Sequence, residues 1–556
     1  MASLIGPSTA REGAFVNYDA RQSSDPDGDR ISYVWITGDG RTFPDPNGQM
    51  GWQYANNGTY TASVIVTDEH GAVDTASSTV AISNVAPLIE RIEPAAHQAI
   101  GDHGRLKLWV ADSGWTDTHF ITVRWGDGAS DSFSASQIVY MAAVDSATHA
   151  YSSAGEYWIA VTVRDDDGGK DSTTAPSPVV VFDSHERKTI AGYETRDIGT
   201  LGGNSALPID FNDRGEIVGS SLTAEGPTHA FLWDGGMMRD LGTLGYLQSE
   251  AQRINNAGLI AGVVWSESGE EYPRLSLAAT WSDGIGTLLN GPLRAVVAQS
   301  MNNAGDVLFS AVGHESSKNL LWHDGAWRDL GYYSQKEPNA ADMNNDGQMV
   351  FRQGFHARLW EDDSVHNLGV LSWRCAGDPE CGWAFAMDIN ETGQIVGTSS
   401  DTGKLNRFVV WKNGTIQPLA LVPSTSSVYW QQHAYINDRG QIAVSSGGQA
   451  FFWSDGNRQT LVAPGGHLEV TGLSEDGNVV GHFMSAPKEQ HVFLWSKSRG
   501  FVDLGTGPHG FSAAWAVGIN AQGDVLGYAG ICTPSYGDAC FRPEHVRAIV
   551  WHPASP

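Results

Sequence analysis

Residues 209–242 read IDFNDRGEIVGSSLTAEGPTHAFLWDGGMMRDLG, and the same order of signals returns seven more times before the chain ends. The unit runs through an apolar residue, an Asn-x-x-Gly turn, an apolar strand, a variable stretch, Ala-Phe-Leu-Trp, an Asp-Gly turn and Asp-Leu-Gly. The turn begins at Asn212, Asn255, Asn302, Asn344, Asn390, Asn437, Ser474 and Asn520, and a glycine follows three residues later each time, from Gly215 to Gly523. The tryptophans are Trp233, Trp281, Trp322, Trp360, Trp411, Trp453, Trp495 and Trp551, so one copy takes about 45 residues. That length holds four strands of five or six residues with their turns. A period of this size with four strands per copy predicts the blade of a β-propeller.

The ends of the repeat predict how it closes. The eighth copy stops after Ala548-Ile-Val-Trp551 and lacks a fourth strand, whereas an unpartnered Thr195-Arg-Asp-Ile-Gly199 precedes the first. The spare strand is therefore expected to complete the last blade, pairing edges that an open solenoid would leave to caps. Eight blades are expected, with seven as the alternative, because Ser474 replaces the turn Asn and Phe309 and Phe351 stand where other copies have Gly. Asn at the turn start can accept local backbone N–H groups, and the following Gly supplies positive φ. One Trp per copy is expected to fill the gap between neighbouring blades.

Ahead of the repeats, two segments share another order of signals. Trp35 and Gly38-Asp-Gly40 are followed by Tyr54 to Asp68 (YANNGTYTASVIVTD), and Trp125-Gly-Asp-Gly128 by Tyr151 to Asp165. Alternation through Tyr60, Ala62, Val64 and Val66, and again through Tyr157, Ile159, Val161 and Val163, is the period-2 pattern of strands with one buried face. Each segment is predicted to be a small sandwich. This tandem resembles the PKD domain family, whose Trp…Gly-Asp-Gly and Tyr…Gly-x-Tyr signatures are met twice, the second time without the Asp-Pro-Asp-Gly-Asp element. The later copies resemble the HAF-type extracellular repeat through His229-Ala-Phe-Leu-Trp233 and Asp240-Leu-Gly242. The expected organisation is all-β: sandwiches at 1–86 and 87–183, then a propeller at 190–553. Asn84-Val-Ala-Pro87 is the junction between the sandwiches, and with no equivalent ahead of Leu4 the natural chain is expected to continue upstream into further domains and a secretion signal. The resemblances imply a spacer or adhesion role for the sandwiches and an extracellular location.

Composition limits the function. The 556 residues carry 34 Lys+Arg against 63 Asp+Glu, a net charge of −29, which repels phosphate backbones and sets aside nucleic acid as a partner. No apolar run is long enough to cross a membrane as a helix. Asp25, Asp27 and Asp29 offer hard oxygen donors for a structural calcium ion, joined by Asp68 or Asp74, and Asp165, Asp166, Asp167 and Asp171 form a weaker acidic group. Cys375 with Cys381 and Cys532 with Cys540 bracket short Gly/Pro/Asp loops at spacings unlike a zinc knuckle, so two local disulfides are expected.

If Asp-Leu-Gly is the fourth strand, the short turns share one face and the variable connectors share the other, where recognition is expected. Surplus aromatics are expected in those connectors: Tyr246, Trp265, Tyr332, Tyr333, Trp373, Trp383, Tyr429, Trp430 and Trp515, with Lys336 beside them. Aromatic planes stack on sugars or on partner side chains, so a carbohydrate or a protein is the expected ligand. If the ring were a polysaccharide lyase or glycoside hydrolase, its catalytic residues would be His433 or Glu250 for proton transfer, in a mouth lined by Arg253 and Arg294. No zincin, nucleophile-elbow, phosphate-loop or sialidase string is present, so the sequence favours a binding protein, with a structural surface-layer component as a further alternative.

Overall fold

The computed structural model describes residues 1–136, 142–184, 186–266, 276–291, 296–311, 317–333, 342–371, 382–400, 406–419, 432–486, 489–531 and 544–554. Every regular element among them is a strand. The chain divides into two units, one of Met1–Gln98 with His103–Val181, the other of Ala99–Asp102 with Phe182–Pro556.

The first unit holds two sandwiches. In the first, Thr9–Arg11, Val73–Ser83, Gly58–Thr67, Ser32–Ile36 and Thr42–Pro44 form one sheet in that order, and Phe15–Asp19 pairs with Gln49–Gln53. Ala62, Val64 and Val66 turn inward onto Val16, Tyr18, Met50 and a fully buried Trp35, as their alternation demands. In the second, Thr118–Arg124 lies between Ser130–Ser136 and Ala160–Arg164, and Ile159, Val161 and Val163 join Trp125 in the core. Both glycines of each Gly-Asp-Gly triplet sit at positive φ. A Cβ at Gly38 would lie 2.7 Å from the Thr61 carbonyl oxygen, and one at Gly126 would lie 2.8 Å from that of Trp158, so the first glycine of each triplet is doubly required. The signature tyrosines tie the layers: Tyr54 donates to the Thr37 carbonyl at 2.6 Å and Tyr151 to that of Trp125 at 2.9 Å.

In the second unit each copy folds as a four-stranded antiparallel sheet, and the first strands are Gly202–Phe211, Gln248–Ile254, Val296–Met301, Asp342–Met343, Ala384–Ile389, Gln432–Ile436, Leu468–Leu473 and Ala513–Ile519. A parallel bridge between Gln490 and Ala513 links the seventh and eighth sheets. The eighth sheet takes its fourth strand from ahead of the first copy, because Tyr193–Asp197 runs antiparallel to Glu544–Pro553 with Thr195 opposite Trp551. The first strands of successive copies are in contact, and so are those of copies one and eight.

The turn asparagine does two jobs. Its Oδ1 accepts backbone N–H groups two and four residues on, from Arg214 and Glu216 at Asn212 and from Thr392 and Gln394 at Asn390. Its Nδ2 reaches the next copy: Asn212 donates to the Asn255 carbonyl at 3.0 Å, Asn255 to that of Asn302 at 3.1 Å, and Asn390 to that of Asn437 at 2.8 Å. Asn520 of the last copy donates to Asn212 of the first at 3.4 Å. Ser474 keeps the local bond to the Asn478 N–H but has no amide to extend.

The tryptophans lie between sheets. Trp281 packs on Val218 and Ala230 of the preceding copy, Trp411 on Val350 and Ala357, and Trp233 on Leu526, Ala548 and Val550 of the eighth. Six of the eight are buried, while Trp322 and Trp360 are half-buried.

One buried ion pair joins the last strand, Glu544–Pro553, to the strand Tyr193–Asp197 ahead of the first copy. Arg547 presents a fork to Asp197, Nε to Oδ2 at 2.9 Å and Nη2 to Oδ1 at 3.2 Å, and its third nitrogen reaches Asp102. Burial works to raise the Asp197 carboxyl, yet Arg547 and His509 outweigh it and hold it below the ordinary value. Removing one partner strands a buried charge, so Arg547→Ala is expected to cost about 3–5 kcal/mol in chemical denaturation, with Arg547→Lys between it and the parent. The share owed to Asp197 is present above the ordinary carboxylate pKa and is lost as pH falls through the lowered one, and acid melts of the variant are expected to lack it.

Candidate functional site

The strand order sorts the connections of the second unit. The Asn-x-x-Gly turns and the turns between third and fourth strands fall at one end of the sheets, and the longer connectors fall at the other. Along six of the eight first strands the small residues Ala206, Ala251, Ala298, Ala386, Ala434 and Ala516 are buried against neighbouring sheets. Their neighbours in sequence face the other way and form two tiers.

The tier nearer the connectors is Leu207, Glu250, Val297, Phe385, His433, Glu469 and Trp515, which share one register position. The tier nearer the turns is Asp210, Arg253, Ser300, Asp342, Asp388, Tyr435, Gly472 and Gly518. In six copies a one-residue irregularity separates the tiers, and this extra residue lets both face the same way.

Carboxylates of the lower tier stitch copies together. Asp210 accepts the Ile254 N–H at 2.9 Å, Asp388 accepts that of Ile436 at 2.7 Å, and Asp342 accepts the Ser300 hydroxyl at 2.8 Å. Burial, then the charge of Asp342 and a hydrogen bond to it, push Asp388 well above the usual carboxylate range. Burial also raises Asp210, although Arg253 opposes it. The upper tier behaves oppositely. Glu469 lies 2.9 Å from His433 Nε2 and 3.4 Å from His482 Nε2, and hydrogen bonding to the two imidazoles holds it well below its ordinary pKa.

Three residues expected from sequence, Glu250, His433 and Trp515, thus occupy one tier. Glu250 is held by Gln252 at 2.9 Å and Ser220 at 3.3 Å. Arg253 belongs to the lower tier and donates to the Gln299 carbonyl at 2.7 Å. His433 and Glu250 lie four copies apart along the chain, and His433 is joined to Glu469 instead. Trp515 is within a strand and largely buried, stacked 5.3 Å from Tyr528. Trp265 is a buried strand residue, and Tyr246 packs on the core between copies one and two. Trp383 is half-buried at the start of copy five, 5.1 Å from Phe385 of the upper tier. Tyr332 and Tyr333 end the strand Ala326–Tyr333. Trp373, Tyr429, Trp430, Lys336, Arg294 and the four cysteines lie outside the described residues.

Sequence reading missed Asp342, Asp388, Glu469 and His482. A signal for the lower tier was present: the residue two before the turn Asn is polar in six copies. It also missed Trp158, the one described tryptophan that is mostly exposed, on the second sandwich.

The four carboxylates expected to hold calcium do not gather. Asp25 Oδ1 accepts the Asp27 and Asp29 N–H groups at 2.8 and 3.3 Å, Asp29 meets His70 at 2.8 Å, and Asp68 caps its own turn through His70 and Ala72. Among the described residues, the acidic groups close enough to share an ion are Glu12 with Asp112 and Asp117, and Asp117 with Asp166 and Asp167.

Residues 1–83 match the PKD domain family, so the chain carries a PKD domain at its start. Over 82 residues it is 34% identical to a microbial collagenase of Vibrio alginolyticus, which is 15% of this chain and 10% of that protein. Among solved structures it is similar to the fibronectin(III)-like modules of Clostridium thermocellum CbhA, at 14% identity and TM-score 0.14 over 34% of this chain and 98% of that one. A putative gluconolactonase aligns at 13% identity and TM-score 0.24 over 44% of this chain and 84% of its own. SGBP-B of the Bacteroides ovatus mixed-linkage glucan utilization locus, solved with a heptasaccharide, aligns at 13% identity and TM-score 0.14 over 51% of this chain and 64% of its own. Scores this low carry no argument about fold or function. No helix among the described residues is long and apolar enough to cross a membrane.

The raised pKa of Asp388 fixes the sign of a pH effect. The folded chain keeps a proton that the unfolded chain releases, so stability falls as pH climbs from the ordinary carboxylate value toward the raised one. Asp388→Asn removes that loss. Its melting temperature is expected to match or exceed the parent's near neutrality and to vary less between about pH 4 and 7.

Proposed function

We propose that this chain is a secreted or cell-surface binding protein in which residues 190–553 form an eight-bladed β-propeller of HAF-type repeats, closed by the strand ahead of the first copy, with sandwiches as spacers. Contact between the first strands of copies one and eight, and the Asn520–Asn212 bond, support the closed ring. The PKD domain at residues 1–83 and its identity with part of a collagenase support an extracellular setting.

One observation carries the binding reading. Residues that build the frame repeat from copy to copy, whereas the tier nearer the connectors differs in nearly every one: Leu207, Glu250, Val297, Phe385, His433, Glu469 and Trp515. A symmetric scaffold with one asymmetric layer is how rigid rings present a specific surface. Aromatic planes beside carboxylate and imidazole groups suit a polysaccharide, with stacking on sugar faces and hydrogen bonds to hydroxyls. Glu469, held ionised between two histidines, is an acceptor and a poor general acid, which favours binding over glycosidic cleavage.

A polysaccharide panel read for both affinity and new reducing or unsaturated ends tests this. Binding without turnover is expected, weakened about tenfold by Trp383→Ala or Glu469→Gln, each near 1.4 kcal/mol. Turnover would overturn the binder in favour of a lyase or hydrolase, and no glycan bound would overturn the carbohydrate ligand.

A further inference from the structure

The two sandwiches meet through a cluster of acids in which the imidazole of His119 is paired with Asp112 alone. The segment from Asp112 to Asp117 of the second lies against the turn after Thr9–Arg11 of the first, so closely that a Cβ on Gly13 would come within 2.8 Å of the Ser113 carbonyl oxygen. Asp117 is wholly buried, and neither of its carboxylate oxygens has a hydrogen-bond partner. Glu12 is 1% exposed; its Oε1 accepts the Val85 N–H at 2.6 Å, and its Oε2 is buried and unpartnered. Asp112 is half-satisfied by Gly114 at 3.1 Å and by His119 at 2.7 Å. One oxygen from each of Glu12, Asp112 and Asp117 lies within 4.8 Å of the others, and Asp117 stands equally close to Asp166 and Asp167. Gly114 leaves room for this: a Cβ there would fall 2.2 Å from Asp117 Oδ2.

A buried carboxylate without a donor forfeits its hydration for nothing, and buried polar groups in folded proteins are otherwise nearly always satisfied. Three bare oxygens converging from two domains have the chemistry of a hard-cation site, because Ca²⁺ takes six to eight oxygen ligands in flexible geometry. We propose that Glu12, Asp112 and Asp117, with Asp166 and Asp167 at the open side, bind a calcium ion that clamps the first sandwich to the second. Magnesium fits less well, since it keeps most of its waters and demands a tight octahedron. Burial and the neighbouring acids lift Asp117 to about 7 without a cation, which accords with a site built to be neutralised. The position differs from the Asp25–Asp29 loop, where Asp25 Oδ1 is engaged by the loop's own backbone and Asp29 by His70.

The full chain, stripped with a chelator and dialysed, is titrated with CaCl₂ by calorimetry and melted with and without the ion. Binding in the micromolar to millimolar range and a rise in the melting transition of the sandwiches are expected, with MgCl₂ much weaker. Asp117→Asn should remove one equivalent of calcium or weaken it at least about tenfold. The same variant should melt higher than the parent without metal, because it deletes a buried unpaired charge. Exposed Asp166→Asn is the second variant and should weaken binding without disturbing the fold. Asp27→Asn is the control and should leave this equivalent intact. A parent melt indifferent to calcium, an unchanged equivalent in Asp117→Asn, or loss of it in Asp27→Asn would overturn the proposal.

Discussion

The second unit depends on a pair that three other copies of the repeat make locally. Its third strand carries a cation and its fourth an acid: His229 with Asp240 at 2.8 Å, Lys318 with Asp329 at 2.7 Å, His491 with Asp503 at 2.9 Å. In the eighth copy Arg547 holds the cation position and Asp197 the acid position, with 350 residues between them. Closing a loop of that length costs roughly 5 kcal/mol in the simplest chain treatment, more than one ion pair returns. The paired strands around it, Tyr193–Asp197 on Glu544–Pro553, and the apolar cluster of Tyr193, Phe182, Ile549 and Trp551 supply the remainder. Arginine suits this copy because its fork satisfies both oxygens of a buried carboxylate, and burial leaves no water to complete the shell. The local pairs have partly exposed acids and tolerate histidine or lysine.

Much of this was legible in the sequence because the determinants are local. The Asn-x-x-Gly turn, the tryptophan per copy and the orphan Thr195–Gly199 all appear in a single reading frame. The second use of the asparagine was not legible, since its Nδ2 bonds a residue some 45 positions away whose proximity exists only after folding. Two of the surplus aromatics lie away from the connectors for a related reason. Trp265 and Trp515 depart from the repeat pattern and were assigned to connectors, but they lie in strands at positions where the frame leaves side-chain identity open. Subtracting the consensus separates frame from variable residue; it does not separate strand from loop.

The acidic segments show the same division more sharply. Asp-Pro-Asp-Gly-Asp draws attention because its carboxylates are close in sequence, yet closeness in sequence is what lets Asp25 cap its own turn and spend its oxygen on backbone N–H groups. Glu12, Asp112 and Asp117 come from segments a hundred residues apart, and neither Glu12 nor Asp117 has a local donor for its free oxygens. Unsatisfied carboxylates arise where distant segments converge, a circumstance that no spacing rule can register.

The two tiers of the first strands separate charge along the same short stretch of chain. Nearer the turns, Asp388 and Asp210 are pushed toward the protonated form and are absorbed into bonds between copies. Nearer the connectors, Glu469 is driven toward the ionised form by two histidines, each of which has its Nε2 turned to that carboxylate. Environments that drive like groups in opposite directions assign them opposite roles. Acids whose charge is disfavoured by burial stitch the lower tier, and the one held ionised stands where the side chains vary and the long connectors begin. In a chain of net charge −29, a frame that pushes Asp210 and Asp388 toward the protonated form while holding Glu469 ionised biases the negative charge of the first strands toward the layer that the proposed ligand would meet.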